Sequence, residues 1–198
     1  MVARDTSKKH GSILEAAAEI FIEEGYDNAS MDRIAERANA SKRTVYNHFP
    51  SKEILFRAVI KKFKEDVSQF KQINYDANKS LEEQLTDYVN GQLEIGKNPK
   101  WLGLLRMLMA VILRDPELVQ EAMASSKHDH ESLDRWIQAA ADDGKLEVKN
   151  AGLAAEIFRS MTVGSFYWPV IFSQDIDMEK FEMMRDEIIA TFLARYAK

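Results

Sequence analysis

One short segment of the chain concentrates side chains that can bind nucleic acid. The segment from Lys42 to Phe49 reads Lys-Arg-Thr-Val-Tyr-Asn-His-Phe. If it is helical, Val45 and Phe49 lie one turn apart and face inward. The outward side chains are then Lys42, Arg43, Thr44, Tyr46, Asn47 and His48. Two cations, a hydroxyl, a phenol, an amide and an imidazole on one helix can contact DNA phosphates and base edges. Lys52 follows at the start of the next helix, where backbone N–H groups also suit phosphate.

Other patterns that could support catalysis or metal binding are weak. His128 and His130 are two residues apart, so on a helix they point in different directions and cannot bind one ion. A solvated loop or kink is the expected structure there. The acidic pairs Glu82-Glu83 and Asp142-Asp143 are typical of a helix cap and a turn. The chain has no cysteine and no glycine-rich phosphate loop. The sequence therefore predicts no metal site, no cofactor and no enzyme activity.

Capping signals place the polar segment in a pair of short helices. Ser30 can cap a helix over about residues 31–38, and Ser41 can cap another over about residues 42–48. Asn39 lies between them and tolerates the left-handed conformation of a tight turn. Two short helices joined in this way indicate a helix-turn-helix, whose second helix enters the major groove of DNA.

The rest of the chain also has helical periodicity, and no segment has the pattern of a strand. Only eight glycines and four prolines punctuate the 198 residues, which favours long helices. We predict an all-α fold of about nine helices. A three-helix DNA-binding domain is expected at residues 7–67, with the helix-turn-helix at about 30–49. A helical ligand-binding and dimerisation domain is expected at residues 68–198.

The charge of the chain is unevenly distributed. Its net charge is −5, but residues 1–62 carry +2 and residues 63–198 carry −7. This difference favours an anion-binding surface in the first third, although ordinary charge scatter would explain it as well. The longest apolar run has seven residues, from Met107 to Leu113, and a membrane span needs about 20. The N-terminus lacks the apolar core of an export signal, so we expect a soluble, cytoplasmic protein that does not bind membranes.

The segment from Ser30 to Phe56 resembles the TetR family of bacterial one-component repressors. The resemblance covers about residues 7–67, and the run Tyr46-Asn-His-Phe-Pro-Ser-Lys52 is highly specific to that family. Ala40 departs from the larger valine that is usual in the family, which predicts looser packing of the turn. Beyond residue 70, Leu104 to Leu118 resembles the AefR-like class of regulatory halves.

This resemblance implies roles for matching positions. Lys42 and Arg43 would reach bases or phosphates, and Thr44 would contact either. Tyr46, His48 and Lys52 would contact phosphates. The whole DNA-binding set is Ser30, Lys42, Arg43, Thr44, Tyr46, Asn47, His48 and Lys52, in which Ser30 caps its helix and donates to phosphate. The residues alone leave alternatives open, because Tyr46 could pack on the first helix and His48 could cap the third.

Methionine and aromatic residues are common in the last two thirds of the chain. For any single residue, core packing is the simpler interpretation. Together they suit an adaptable apolar pocket, and the resemblance implies such a pocket among the middle helices. The predicted lining is Phe70, Trp101, Leu105, Met109, Trp136 and Phe166, for a small-molecule effector that is apolar or amphipathic. Arg106 and Arg114 lie in an otherwise apolar helix, where either could pair internally or meet an anionic ligand.

The two C-terminal helices have wide apolar faces. Phe181, Met184, Ile188 and Phe192 form one stripe, which is more apolar surface than one side of a bundle needs. The predicted dimer interface is Phe158, Met161, Phe181, Met184, Ile188 and Phe192. A four-helix bundle formed with a second copy would let two recognition helices meet successive major grooves, about 34–36 Å apart.

The sequence therefore predicts a ligand-responsive transcriptional regulator. We expect a homodimeric repressor that binds a palindromic operator in double-stranded DNA and is released by its effector. The alternative is a helical DNA-binding activator or architectural factor without an inducer. Release of operator DNA by a small molecule would distinguish the two.

Overall fold

The computed structural model describes residues 2–124, 131–172 and 175–198. Within these ranges the regular secondary structure is helical, apart from an isolated bridge between Leu146 and Ala197. The α-helices are α1 (Val2–Asn28), α2 (Met31–Arg37), α3 (Lys42–His48), α4 (Lys52–Ser68), α5 (Leu81–Lys97), α6 (Pro99–Ile112), α7 (Pro116–Ala124), α8 (Glu131–Asp142), α9 (Ala151–Thr162), α10 (Trp168–Phe172) and α11 (Met178–Tyr196). A 3₁₀ turn at Gln69–Lys71 follows α4, and a π turn at Val163–Tyr167 joins α9 to α10. The predicted all-α fold is confirmed.

Side-chain caps fix where eight of these helices begin. A backbone N–H three residues further on donates a hydrogen bond to each capping side chain, and the caps are Ser30, Ser41, Ser51, Ser80, Asn98, Asp115, Asn150 and Asp177. Each cap satisfies a donor that a helix start leaves without an intrahelical partner. The sequence predicted the caps at Ser30 and Ser41, because each of these short polar side chains stands directly before a segment with helical periodicity.

The described residues divide into two compact units. Unit 1 comprises residues 2–66 and 103–124, and unit 2 comprises residues 67–102, 131–172 and 175–198. The first division, between residues 66 and 67, lies one residue from the predicted domain boundary. The segment 103–124 packs with unit 1, whereas the sequence assigned it to the second domain.

Unit 1 is built around the first four helices. Its core includes Ile13 and Phe21 from α1, Ile34 from α2 and Val45 from α3, all at most 1% exposed. The first helix bends at Gly25, whose φ of +78° and ψ of 161° are non-helical. Only glycine adopts this conformation without strain, so the regular part of the helix ends at this residue.

Ion pairs hold α2 against α1 on the surface of unit 1. Arg33 contacts Glu24 at 2.9 Å. Arg37 contacts Glu19 at 3.0 Å and Glu23 at 2.7 Å. The two arginines are four residues apart and therefore share one face of α2, so the pairs fix the orientation of the helix-turn-helix on its supporting helix.

Unit 2 has its own core, contributed by α5, α8, α9 and α11. Leu85, Trp136, Ile137, Phe158 and Phe192 are at most 1% exposed there. Phe158 packs edge-on against Phe192, with ring centroids 5.0 Å apart.

The helical segment that Asn150 caps continues past Trp168 and Pro169. A proline inside a helix lacks a donor N–H and clashes with the carbonyl four residues before it. Here the wider π turn Val163–Tyr167 precedes Pro169, and helix resumes as α10. A π turn accommodates this disruption, which residue spacing did not reveal.

The described residues between Pro116 and Asp142 form two helices, α7 and α8. Leu113, the last residue of the apolar run that begins at Met107, is 86% exposed. The pair His128 and His130 lies outside the described residues. None of the described helices combines the length and apolar character that crossing a bilayer requires.

Candidate nucleic-acid interface and regulatory unit

The outer face of α3 carries the side chains that sequence reasoning assigned to DNA. Val45 is fully buried and Phe49 is 3% exposed, so these two residues anchor the helix. Lys42, Arg43 and Asn47 are exposed, and Tyr46 is 47% exposed. The structure therefore brings a guanidinium, an ammonium, a phenol and an amide onto one outward surface, called the α3 face below.

The cation at the start of α3 is already paired within the helix-turn-helix. The Nζ atom of Lys42 lies 2.6 Å from the Oδ2 atom of Asp32 in α2. The hydrogen bond and the charge of Asp32 raise the pKa of Lys42. Both side chains are more than half exposed, so water and salt screen the pair. A phosphate can therefore replace the carboxylate as the partner of Lys42.

Hydroxyl groups shape the ends of the two short helices. The Oγ atom of Ser30 accepts from the N–H of Arg33 at 3.2 Å, which confirms its capping role. The Oγ atom of Ser41 accepts from the N–H of Thr44 at 3.1 Å and shares a 2.8 Å hydrogen bond with the Thr44 hydroxyl. These hydrogen bonds hold Thr44 at the edge of the α3 face. Its hydroxyl can there form a second hydrogen bond, to DNA.

His48 packs beside a second histidine. Its ring is 5.6 Å from the ring of His10 in an edge-on arrangement, and the His10 ring is 4.7 Å from that of Phe49. His48 is half-buried as a result. The C-cap of α3 is Phe49, so His48 does not cap that helix. Its imidazole lies at the edge of the α3 face.

Lys52 has a different role from the predicted one. Its Nζ atom donates to the carbonyls of Tyr26, Asp27 and Ala29 at 2.8, 3.1 and 3.2 Å. It also lies 4.6 Å from the centroid of the Tyr26 ring. An ammonium has three protons, and three carbonyls already accept them. The structure therefore does not support Lys52 as a free phosphate-binding cation.

Sequence reasoning missed one residue that shapes the site. The Nζ atom of Lys9 donates to the backbone carbonyl of Asn39 at 2.9 Å. Asn39 has a φ of +47°, so Lys9 holds the left-handed turn that sets the angle between α2 and α3. The two residues are 30 positions apart, and no local sequence signal connects them.

The residues predicted to line an effector pocket do not lie together at a described cavity. Phe70 and Trp101 are in contact, with ring centroids 5.1 Å apart. Leu105 and Met109 are half-buried in unit 1. Trp136 is 1% exposed and donates to Gln84 at 2.9 Å, and Phe166 packs 4.5 Å from the ring of Phe181. Trp136 is therefore a core residue, which corrects its assignment to a pocket.

Unit 1 contains a cavity of about 570 Å³ between the end of α1 and α6. Its lining includes Tyr26, Asp27, Arg106, Met107 and Arg114. Arg114 is paired with Asp27 and its side chain is 75% exposed, so it is a surface residue with an internal partner rather than a buried cation. Arg106 is half-buried at the cavity wall.

Most residues of the predicted dimer interface belong to the hydrophobic core of unit 2. Phe158, Phe181, Ile188 and Phe192 are between 0% and 6% exposed and belong to one hydrophobic cluster. Side chains buried within a protomer offer almost no surface to a second copy, so these four assignments are corrected. Of the six residues, Met184 remains 37% exposed and Met161 is half-buried.

Both parts of the chain match models of known protein families. Residues 13–59 match the model for bacterial regulatory proteins of the tetR family. Residues 83–198 match the model for the C-terminal domain of AefR-like transcriptional repressors. The second match alone covers more than half of the chain. The chain belongs to the TetR family.

Individual relatives agree with this membership. This TetR-family protein is 29% identical over 139 residues to the transcriptional repressor AcnR of Corynebacterium efficiens, a match that covers 68% of this chain and 66% of AcnR. It is 46% identical over 55 residues to the transcriptional activator FasR of Mycolicibacterium smegmatis, covering 28% of this chain and 25% of FasR. The chain thus spans between a quarter and two thirds of the length of these two relatives.

Solved structures extend the likeness over almost the whole chain. A TetR family transcriptional regulator from Pseudomonas syringae superposes with a TM-score of 0.79 at 31% identity, covering 94% of this chain and 96% of that one. The flavonoid-responsive regulator FrrA superposes with a TM-score of 0.77 at 26% identity, covering 96% and 98%. Membership in a family of transcriptional regulators confirms the interpretation of the polar α3 segment as part of a regulator and not of an enzyme.

Proposed function

We propose that this TetR-family protein is a homodimeric repressor that binds a palindromic operator through α3 and is released by a small-molecule effector. The observation that carries the proposal is the α3 face. Arg43 is exposed beside Asn47 and Tyr46 on a helix anchored by Val45. Arginine pairs with guanine edges and asparagine with adenine edges in the major groove, so the face can read bases as well as bind phosphate.

The homodimer is supported by a second set of exposed side chains in unit 2. Leu153, Ile157 and Val163 follow one another along α9 and the π turn and are 54%, 40% and 43% exposed. Met183 on α11 is 67% exposed and Met184 is 37% exposed. We call these five residues the α9–α11 face. Large apolar side chains left in water along two helices mark a contact surface, and a second copy supplies an identical apolar face.

The ligand response is supported by the likeness to a structure named as a flavonoid-responsive regulator. Unit 2 has a core rich in aromatic residues, including Tyr88, Phe158 and Phe166. Such surroundings suit an apolar effector with ring character. Effector binding releases DNA only if the effector favours one of two protein conformations over the other. We place the repressor and its operator in the cytoplasm.

The proposal is tested by selecting an operator from random duplex DNA with the purified protein. Arg43→Ala is then compared with Arg57→Ala, which removes an exposed arginine of α4 that pairs with Glu121. Arg43→Ala is expected to weaken operator binding by about 1–3 kcal/mol and to relax the preference at one base position. Arg57→Ala should bind within about twofold of the wild type. Equal effects of the two substitutions, or a selection that yields no sequence, would overturn the proposal.

An activator is the second candidate, because 55 residues of the chain match the transcriptional activator FasR at 46% identity. The same α3 face serves either outcome. In vitro transcription from a promoter that carries the selected operator distinguishes them, since a repressor lowers and an activator raises the amount of transcript.

A further inference from the structure

The hydroxyl of Tyr167 is buried and has no hydrogen-bond partner among the described residues. Native proteins keep few buried polar atoms in this state, because losing water without gaining a partner is unfavourable. Tyr167 is the last residue of the π turn Val163–Tyr167. Single π turns within α-helices are frequent at functional sites. The unpaired hydroxyl and the irregular turn therefore coincide at one residue.

The aromatic side chain of Tyr88 lies near this hydroxyl. Phe166, the residue before Tyr167 in the sequence, is 9% exposed. Tyr88 of α5 is 5% exposed, with its ring 6.3 Å from that of Phe158. Burial is the larger cause, and the nearby Tyr88 the smaller one, of a raised pKa for Tyr167. Burial also raises the pKa of Tyr88 to about 12. Both phenols therefore keep their protons at neutral pH.

The charged groups near Tyr88 balance one another. Arg159 and Asp134 form an ion pair of 2.7 Å, with side chains 19% and 35% exposed. Since this cation already has a carboxylate partner, the surroundings favour an uncharged ligand group. A neutral phenol donates well to a neutral oxygen acceptor, and aromatic neighbours favour ring contacts around it.

We propose that the Tyr167 hydroxyl is the hydrogen-bond donor for the effector, which is an uncharged ring compound that carries a carbonyl oxygen. The carbonyl oxygen of the effector accepts a hydrogen bond from the Tyr167 hydroxyl, which is otherwise buried without a partner among the described residues. Because this site serves the ligand response proposed above, binding of probes and binding of operator DNA are measured separately.

Two probes of nearly equal shape test the hydrogen bond. Benzophenone has a carbonyl between two phenyl rings, and diphenylmethane has a methylene group in the same place. The wild-type protein should bind benzophenone about 2- to 12-fold more tightly by calorimetry, the ratio that one net hydrogen bond produces. In Tyr167→Phe the ratio should fall to about one. This double-substitution cycle isolates the contact between the two groups.

Tyr75→Phe is the matched control, because it removes a phenolic hydroxyl of unit 2 that does have a partner, Asp143. It should keep the wild-type ratio between the two probes. Tyr167→Phe should leave the melting temperature of the free protein unchanged or raise it, since the lost hydroxyl has no bond to lose. A clear fall in melting temperature would show that the hydroxyl is hydrogen-bonded without a ligand, which overturns the proposal.

The remaining outcomes separate this inference from the proposed function. Failure of both probes to bind at their solubility limits, or an unchanged ratio in Tyr167→Phe, overturns the role of Tyr167. Operator binding by the same samples is unaffected by these results and supports the regulator on its own. A wild-type protein that binds the probes with the expected ratio but selects no operator overturns the proposed function and leaves the assignment of Tyr167 intact.

Discussion

The ammonium of Lys52 donates a 2.8 Å hydrogen bond to the backbone carbonyl of Tyr26. Two further carbonyls, those of Asp27 and Ala29, accept from the same nitrogen. These carbonyls lie around the end of α1, where the helix dipole favours a cation. A residue at the start of α4 therefore holds the end of α1 in place, and this relationship changes what its substitution should do.

Lys52→Met should destabilise the protein and leave its salt-dependent DNA binding unchanged. The substitution keeps an apolar stem but leaves three carbonyls without their donor, at an expected cost of about 1–3 kcal/mol. Urea unfolding measures this loss. Lys61→Met, which removes an exposed cation of α4 that lies 4.0 Å from Glu65, is the control and should be nearly neutral. If Lys52→Met instead lowers the slope of log affinity against log salt by about one, Lys52 binds phosphate.

Asp32→Asn should strengthen operator binding. Lys42 must exchange Asp32 for a phosphate when DNA binds, and the amide removes both the competing partner and a negative charge near the DNA. We expect a gain of several fold at low salt that shrinks as salt rises, because the pair is exposed and screened. Glu36→Gln removes a charge from the same helix, where Glu36 lies 3.8 Å from Arg33. Fluorescence anisotropy titrations that give equal gains for the two variants would show that only net charge matters.

Ile157→Glu combined with Met183→Glu should convert the dimer to folded monomers. Both residues belong to the exposed α9–α11 face, so charge there opposes association without entering the core. Light scattering and circular dichroism measure mass and helix content. Leu113→Glu, at an apolar residue of unit 1 that is 86% exposed, should remain dimeric. Phe192→Glu places a charge at a residue that is 1% exposed, so this variant should unfold unit 2. A Phe192→Glu protein that is monomeric and keeps its helix content would contradict the placement of Phe192 in the core.

Stability should fall in alkali between about pH 10 and pH 12. Burial raises the pKa of Tyr88 from 10.0 to about 12. The unfolded chain therefore loses this proton at lower pH than the folded chain does. The contribution is fully present below pH 10 and disappears as the pH rises through the folded pKa. Tyr88→Phe should flatten this part of the stability profile in urea unfolding, whereas Tyr46→Phe, at a residue 47% exposed, should retain it.

Local sequence signals determined most of the secondary structure and the location of the DNA-binding face. Caps at Ser30, Ser41 and Asn150 act over three residues, so a reader of the sequence finds them without knowing the fold. The burial of Val45 and the exposure of Arg43 follow from helical periodicity in the same way. The predicted lining of a pocket required knowledge of packing between distant helices, and the described structure does not bring those residues together at one cavity.

The sequence by itself determined which helix faces are apolar, and only the tertiary structure decided what covers each of them. Phe181 and Phe192 share a stripe that fits a core and an interface equally well, and the structure places both in the core of unit 2. Met183 lies on another face of the same helix and is exposed to solvent. Likewise a lysine at position 52 suits phosphate or the end of a helix, and the choice depends on α1 residues about 25 positions earlier. Periodicity reports which residues avoid water, whereas the partner of each face depends on contacts between segments far apart in the chain.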